Sequence, residues 1–112
     1  MRVVFLEVDT ESEWAMASLG PAFLAAYLRE HGHESQLVRA TMTMSDAEVV
    51  RAVRDARPGL LGVSMTTRQW LRARHLVGLI RQELDVPVVA GGLHATFSPE
   101  EVLSAPGFDF AC

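Results

Sequence analysis

The sequence predicts a doubly wound α/β domain, a parallel sheet of about five strands layered between helices. Three observations carry that expectation. Short apolar runs rich in β-branched residues recur at 3–8, 60–64 and 86–90, without the alternation of a half-exposed strand. Stretches with helical spacing separate them, and the connections are short. Helix-start signals fall just ahead of those stretches: Gly20-Pro21, Ser45 with Glu48, and Ser98-Pro99 with Glu101.

Taken in order, residues 3–8 form the first strand, and the acidic segment 9–19 is a loop. A helix opens at Gly20-Pro21, carries Phe23, Leu24, Tyr27 and Leu28 on one side, and stops at His31-Gly32. Residues 34–38 form a weaker second strand, followed by a loop over 39–44. Ser45 and Glu48 make a capping box for a helix reaching about Arg57, which buries Val49, Val50, Val53 and Ala56. Pro58-Gly59 ends it, and residues 60–64 form the third strand. The helix from about Arg68 to Leu84 places Trp70, Ala73, Val77, Ile80 and Leu84 on a core stripe, widened by Leu76 and Leu79. Residues 86–90 are the fourth strand, 91–97 a glycine-led loop, and a short helix capped by Ser98 and Glu101 runs to about Leu103. A fifth strand starts at Phe108, so the last residues fall inside a strand; the expectation is a piece of a longer protein.

Bulk properties narrow the function. At 112 residues the chain holds one domain with a real core. Ten arginines and no lysine are scattered among fourteen acids, giving a net charge of −4, which does not fit a nucleic-acid partner. The one cysteine, Cys112, excludes an intrachain disulfide and a cysteine-held cluster within this chain. The first residues are too short and too acidic for a leader or a membrane span, so no membrane association and a cytoplasmic location are expected. His31 and His33 read as helix-end residues facing the C-terminal dipole, and His75 as a surface residue.

The expected strand order is 2-1-3-4-5, the flavodoxin-like arrangement. Ligands of such sheets bind outside the carboxyl ends of the strands, at the switch point between the first and third. Three loops meet there: 9–20, 64–67 and 91–97. Dinucleotide and P-loop fingerprints are both missing, and a phospho-receiver domain would carry aspartate where Ser64-Met65 stands. A flavin phosphate has Thr10 and Ser12 to use but meets Asp9, Glu11 and Glu13 in the same loop, which repel it. A flavin-binding domain stays as a third alternative, one that predicts yellow protein as isolated. What fits is a large, flat, mostly neutral ligand met by small hydroxyls and bare backbone.

Three stretches, LGPAFLAAYLREHGHE at 19–34, LGVSMTT at 61–67 and PVVAGGLHATFSPEEVL at 87–103, together resemble the N-terminal cobalamin-binding domain of radical S-adenosylmethionine enzymes. The resemblance implies that the corrin lies on the carboxyl edge of the sheet and its nucleotide tail descends between the first and third strands. Ser64, Met65, Thr66 and Thr67 would then line the tail channel, and Gly91 and Gly92 would let tail or corrin rim approach the backbone. His94 and Thr96 would bond corrin amides, Trp14 would pack on the corrin, and Leu19-Gly20 would close the edge from the facing loop. On this reading Gly92→Leu abolishes cobalamin retention and leaves the fold intact. The plainer alternatives are that Thr67 caps the third helix and Trp14 covers the first.

Cobalamin domains of the mutase type carry Asp-x-His-x-x-Gly after the first strand. Here the stretch is Asp9-Thr10-Glu11-Ser12-Glu13-Trp14, with glutamate in the histidine's place, so no protein histidine ligand is expected. The resemblance also implies a following radical S-adenosylmethionine domain in the parent chain, holding a 4Fe-4S cluster and S-adenosylmethionine, neither of them bound by this chain. The parent would be a methyltransferase or cyclase, with no catalytic residue in residues 1–112. The competing reading is a degenerate module that keeps the fold, has lost the cofactor, and serves as a scaffold or substrate-recognition domain.

Overall fold

A computed structural model describes residues 1–9 and 19–112. Five parallel strands, β1 (Arg2–Val8), β2 (Glu34–Ala40), β3 (Leu60–Ser64), β4 (Val88–Gly91) and β5 (Phe110–Ala111), lie in the order β2-β1-β3-β4-β5. The expected flavodoxin-like topology is the one observed. Between them run α1 (Leu19–Glu30), α2 (Asp46–Asp55), α3 (Trp70–Glu83), α4 (Leu93–Phe97) and α5 (Pro99–Ser104), with a 3-10 turn at Thr67–Gln69 leading into α3.

The main core lies on one face of the sheet. Strand residues alternate sides, so Val4, Leu6 and Val8 point with Leu61, Val63, Val88 and Ala90 toward α2 and α3. They meet Val49 and Val53 of α2 and Ala73, Leu76, Val77 and Ile80 of α3, all without exposed surface. The predicted stripe of α3 is thus the one that packs, with Leu84 at its rim. Ser45 caps α2 by accepting from the Glu48 amide at 3.2 Å, and its hydroxyl donates to the Glu48 carboxylate at 3.2 Å. The cap therefore closes side chain to side chain.

The opposite face carries α1, and here the expected stripe needs correction. Phe23, Leu24 and Tyr27 are exposed, at 73%, 53% and 61%. Pro21 is buried and Ala25 and Leu28 are partly so, a set spaced four and three apart that faces the sheet. Large residues define one side of α1, yet it is the Pro21, Ala25 and Leu28 side that is turned to the sheet, where Pro21 and Ala25 line a cavity with Phe5 and Leu37 of β1 and β2. On this same face the Phe5 ring covers Gly62, whose missing Cβ would stand 3.0 Å from the ring.

Several boundaries also move. β2 runs on through Arg39 and Ala40, where a loop is expected, because the full length of β1 pairs with it. Residues 93–97, also expected as loop, form α4. His31 bonds the Tyr27 carbonyl at 2.9 Å, the helix-end role expected of it.

Candidate functional site

The carboxyl edge is built on one rung of the sheet. Arg39, Glu7, Ser64 and Gly91 follow each other across β2, β1, β3 and β4 in register, on the α1 face. Glu7 is 6% exposed, a buried acid in a run that reads as purely apolar strand. On this rung β3 and β4 end, while β1 and β2 pair once more at Val8 and Ala40 before the chain leaves them.

Between β3 and β4 the two exits are tied backbone to backbone. The Met65 amide donates to the Gly91 carbonyl at 3.1 Å, and the His94 amide donates to the Met65 carbonyl at 3.3 Å. For that the chain must cross Met65 at close range, and Gly92 is where it crosses. Its φ of 91° and ψ of −172° belong to a region that is essentially glycine-only. A Cβ there would stand 2.6 Å from the Met65 carbonyl oxygen and 2.9 Å from its nitrogen. The space left by the missing side chain of Gly92 is therefore filled by Met65, and a bulky residue at 92 disturbs the fold itself. At Gly91, by contrast, nothing lies within 4 Å of the Cβ position. Of the two glycines, Gly91 is the one that leaves room.

His94 occupies the centre of this half of the edge. It is 3% exposed and stacks on Trp70 with centroids 4.8 Å apart, and Trp70 in turn meets Phe108 at 5.6 Å. Its Nδ1 lies 3.2 Å from Thr67 Oγ1 and its Nε2 lies 3.2 Å from Glu101 Oε1. Both ring nitrogens are thus engaged within the protein. Glu101 is held by this contact, and Ser98 makes no side-chain cap, so the second capping box is not formed even though Pro99 takes the first position of α5 as expected. Nor does Thr67 cap α3: the turn is closed by the Thr66 amide donating to Gln69 Oε1 at 2.9 Å, which leaves the Thr67 hydroxyl on His94.

On the β1–β2 side, Arg72 reaches back from the start of α3. Its guanidinium donates to the carbonyls of Asp9 at 2.6 Å, Ala40 at 3.0 Å and Thr41 at 2.8 Å, closing the ends of both strands. Asp9 is clamped further by Arg39 Nε, at 3.2 and 3.1 Å to its two oxygens. Sequence reading missed Arg72. The available signal was that a helix following a parallel strand starts at the carboxyl edge, so its first-turn arginine faces the strand exits.

What the edge offers outward is therefore limited and specific. Thr66, Thr67 and Thr96 are exposed, with Thr96 Oγ1 donating to the Gly92 carbonyl at 3.0 Å. Leu93 and Phe97, four apart on α4, are 59% and 79% exposed and add apolar surface. The Met65 side chain, expected to line a channel, is instead 2% exposed and belongs to the core. Gly20 is exposed at the start of α1, whose first residue is Leu19; Trp14 lies outside the described residues. The other histidines are remote: His31 and His33 follow α1 toward the opposite edge, and His75 pairs with Asp46 at 2.8 Å. Among the described residues no group of His, Cys, Asp and Glu is arranged to hold a metal ion. None of the described helices is long and apolar enough to cross a membrane.

A parallel sheet in the order 2-1-3-4-5, layered between helices, defines a flavodoxin-like domain of the doubly wound class. The chain belongs to the B12 binding domain family, whose model matches residues 7–112. Among solved structures it is similar to the cobalamin-dependent S-adenosylmethionine radical enzyme OxsB with aqua-cobalamin and S-adenosylmethionine bound, at a TM-score of 0.84 and 19% identity over 97% of this chain. It is also similar to a cobalamin-binding protein from Desulfitobacterium hafniense DCB-2, at a TM-score of 0.73 and 19% identity, again over 97% of this chain. The chain spans 16% of the OxsB chain and 50% of the Desulfitobacterium chain. No curated protein matches the sequence.

Proposed function

We propose that residues 1–112 are the cobalamin-holding module of a radical S-adenosylmethionine enzyme of methyltransferase or cyclase type, seating the corrin on the carboxyl edge without a protein nitrogen beneath the cobalt. The observation that carries this reading is the contrast at the double glycine: Gly92 is filled by Met65, while Gly91 opens beside Ser64 on the rung next to β1. A tail descending between β1 and β3 would pass that opening. Ser64, Thr66 and Thr67 supply hydroxyls along it, Thr67 at its mouth meeting the amides of the corrin rim as well, Thr96 adds a further hydroxyl to those amides, and Leu93 and Phe97 lie under apolar parts of the ring. Trp14, Leu19 and Gly20 complete the cobalamin-contacting set that the sequence resemblance implies. Met65, Gly92 and His94 act from beneath, holding the two loops at a fixed spacing.

The histidines support the second half of the proposal. Glu11 stands where mutase-type domains place their ligand, and His94, the one histidine at this edge, is buried with both nitrogens engaged. When bound, cobalamin supplies methyl-carrier or radical-partner chemistry that no side chain here provides. The protein's part is to bind and orient it. The cluster and S-adenosylmethionine of the parent enzyme belong to a following domain, this module's partner in the chain.

The test is electron paramagnetic resonance of the nitrogen-15-labelled protein loaded with aquacobalamin and reduced to cobalt(II). The expected spectrum is that of bound cobalamin with no two-line splitting from a protein nitrogen. Such a doublet overturns the histidine-free site. Absence of any bound corrin favours the degenerate scaffold.

A further inference from the structure

Beneath exposed Thr67 lies a relay through the buried His94 imidazole, Thr67 Oγ1 to His94 Nδ1 and His94 Nε2 to Oε1 of the half-exposed Glu101, each contact 3.2 Å. An ionised carboxylate only accepts hydrogen bonds, so the pairing with Glu101 requires the proton of a neutral imidazole to sit on Nε2. Nδ1 is then an acceptor, and the hydrogen bond to it has to come from the Thr67 hydroxyl. That fixes the rotor: the Thr67 hydrogen points inward and its oxygen faces outward with lone pairs alone. Stacking on Trp70 and burial to 3% exposure hold the ring in this orientation, so the arrangement does not depend on a ligand being present.

We infer that Glu101 and His94 are positioning residues that make Thr67 a hydrogen-bond acceptor at the carboxyl edge, and that Thr67 thereby selects a ligand presenting an N–H donor, such as a primary carboxamide, over one presenting a carboxylate. The identity of the carboxamide rests on the cobalamin reading above; the tautomer and the hydroxyl orientation do not. On that reading Thr67 discriminates cobalamin, whose corrin rim carries primary amides, from derivatives in which the amide facing Thr67 is hydrolysed to the acid. A carboxylate there sets two acceptors against each other and leaves both without a proton to share.

Two measurements test this separately. Long-range proton–nitrogen-15 correlation spectra of the intact chain at about pH 8, above the ordinary imidazole range, are expected to show the His94 ring protonated at Nε2 and bare at Nδ1. A proton on Nδ1, in the other tautomer or in an imidazolium, overturns the inference whether or not cobalamin binds. Glu101→Gln, whose amide is able to donate to Nε2, is expected to release this preference; an unchanged spectrum removes Glu101 from its role.

Binding of cobalamin is then compared with that of its separate monocarboxylic acids. Wild type is expected to bind at least one of these isomers about tenfold or more weakly than cobalamin. Thr67→Val is expected to lose that difference and Thr67→Ser to keep it. Equal affinity for every isomer in wild type overturns the selection by Thr67, whereas failure to bind cobalamin at all rejects the cobalamin reading and leaves the tautomer result standing.

Discussion

Gly92→Ala is expected to destabilise the domain by about 3 kcal/mol or more, lowering Tm by roughly 10–20 °C. Two costs add. The backbone at φ 91° and ψ −172° occupies a region whose penalty for a side-chain-bearing residue is about 1–3 kcal/mol. A methyl group would also sit 2.6 Å from the Met65 carbonyl oxygen, and that oxygen has little freedom to move because it accepts the His94 amide. Relief requires parting the β3 and β4 exits, which breaks the Met65 to Gly91 hydrogen bond and loosens His94 from beneath the edge. Thermal unfolding followed by circular dichroism measures this. A Tm within a few degrees of wild type would show that the crossing at Met65 is not a tight one.

Gly91→Leu is expected to do the reverse, leaving Tm within about 3 °C of wild type and reducing cobalamin affinity at least a hundredfold. No atom lies within 4 Å of the Cβ position, and the residue has no positive φ, so the backbone accepts a side chain without strain. The leucine would fill the opening next to Ser64 through which the tail is proposed to pass. Paired with Gly92→Ala, this variant separates stability from binding at neighbouring positions. Unchanged affinity in a folded Gly91→Leu protein would place the tail elsewhere.

The fold was legible because its signals are local and redundant. Apolar runs, the α3 stripe and the Ser45 cap each point to the same alternation, and the parallel order follows from that alternation. The α1 stripe misled because large residues at Phe23, Leu24 and Tyr27 dominate the pattern, whereas the side turned to the sheet is that of Pro21, Ala25 and Leu28. The edge was legible as a place but only partly as a mechanism. Gly91 and Gly92 are identical in the sequence, and only φ and the position of Met65 tell a room-making glycine from a crossing one. Likewise Ser98 with Glu101 is spelled as a capping box, but a carboxylate serves one partner well, and the buried His94 ring, with an N–H to satisfy, takes it. Arg72 bonds strand ends more than thirty residues away along the chain, a relation that no local pattern encodes.

The central claim, that this edge holds cobalamin, is tested most directly by titrating the purified protein with aquacobalamin and following the corrin absorbance after gel filtration. One cobalamin retained per chain, with Gly91→Leu failing to retain it at the same concentrations, is the predicted result. Free elution of cobalamin from a folded wild-type protein at high micromolar concentration would contradict it.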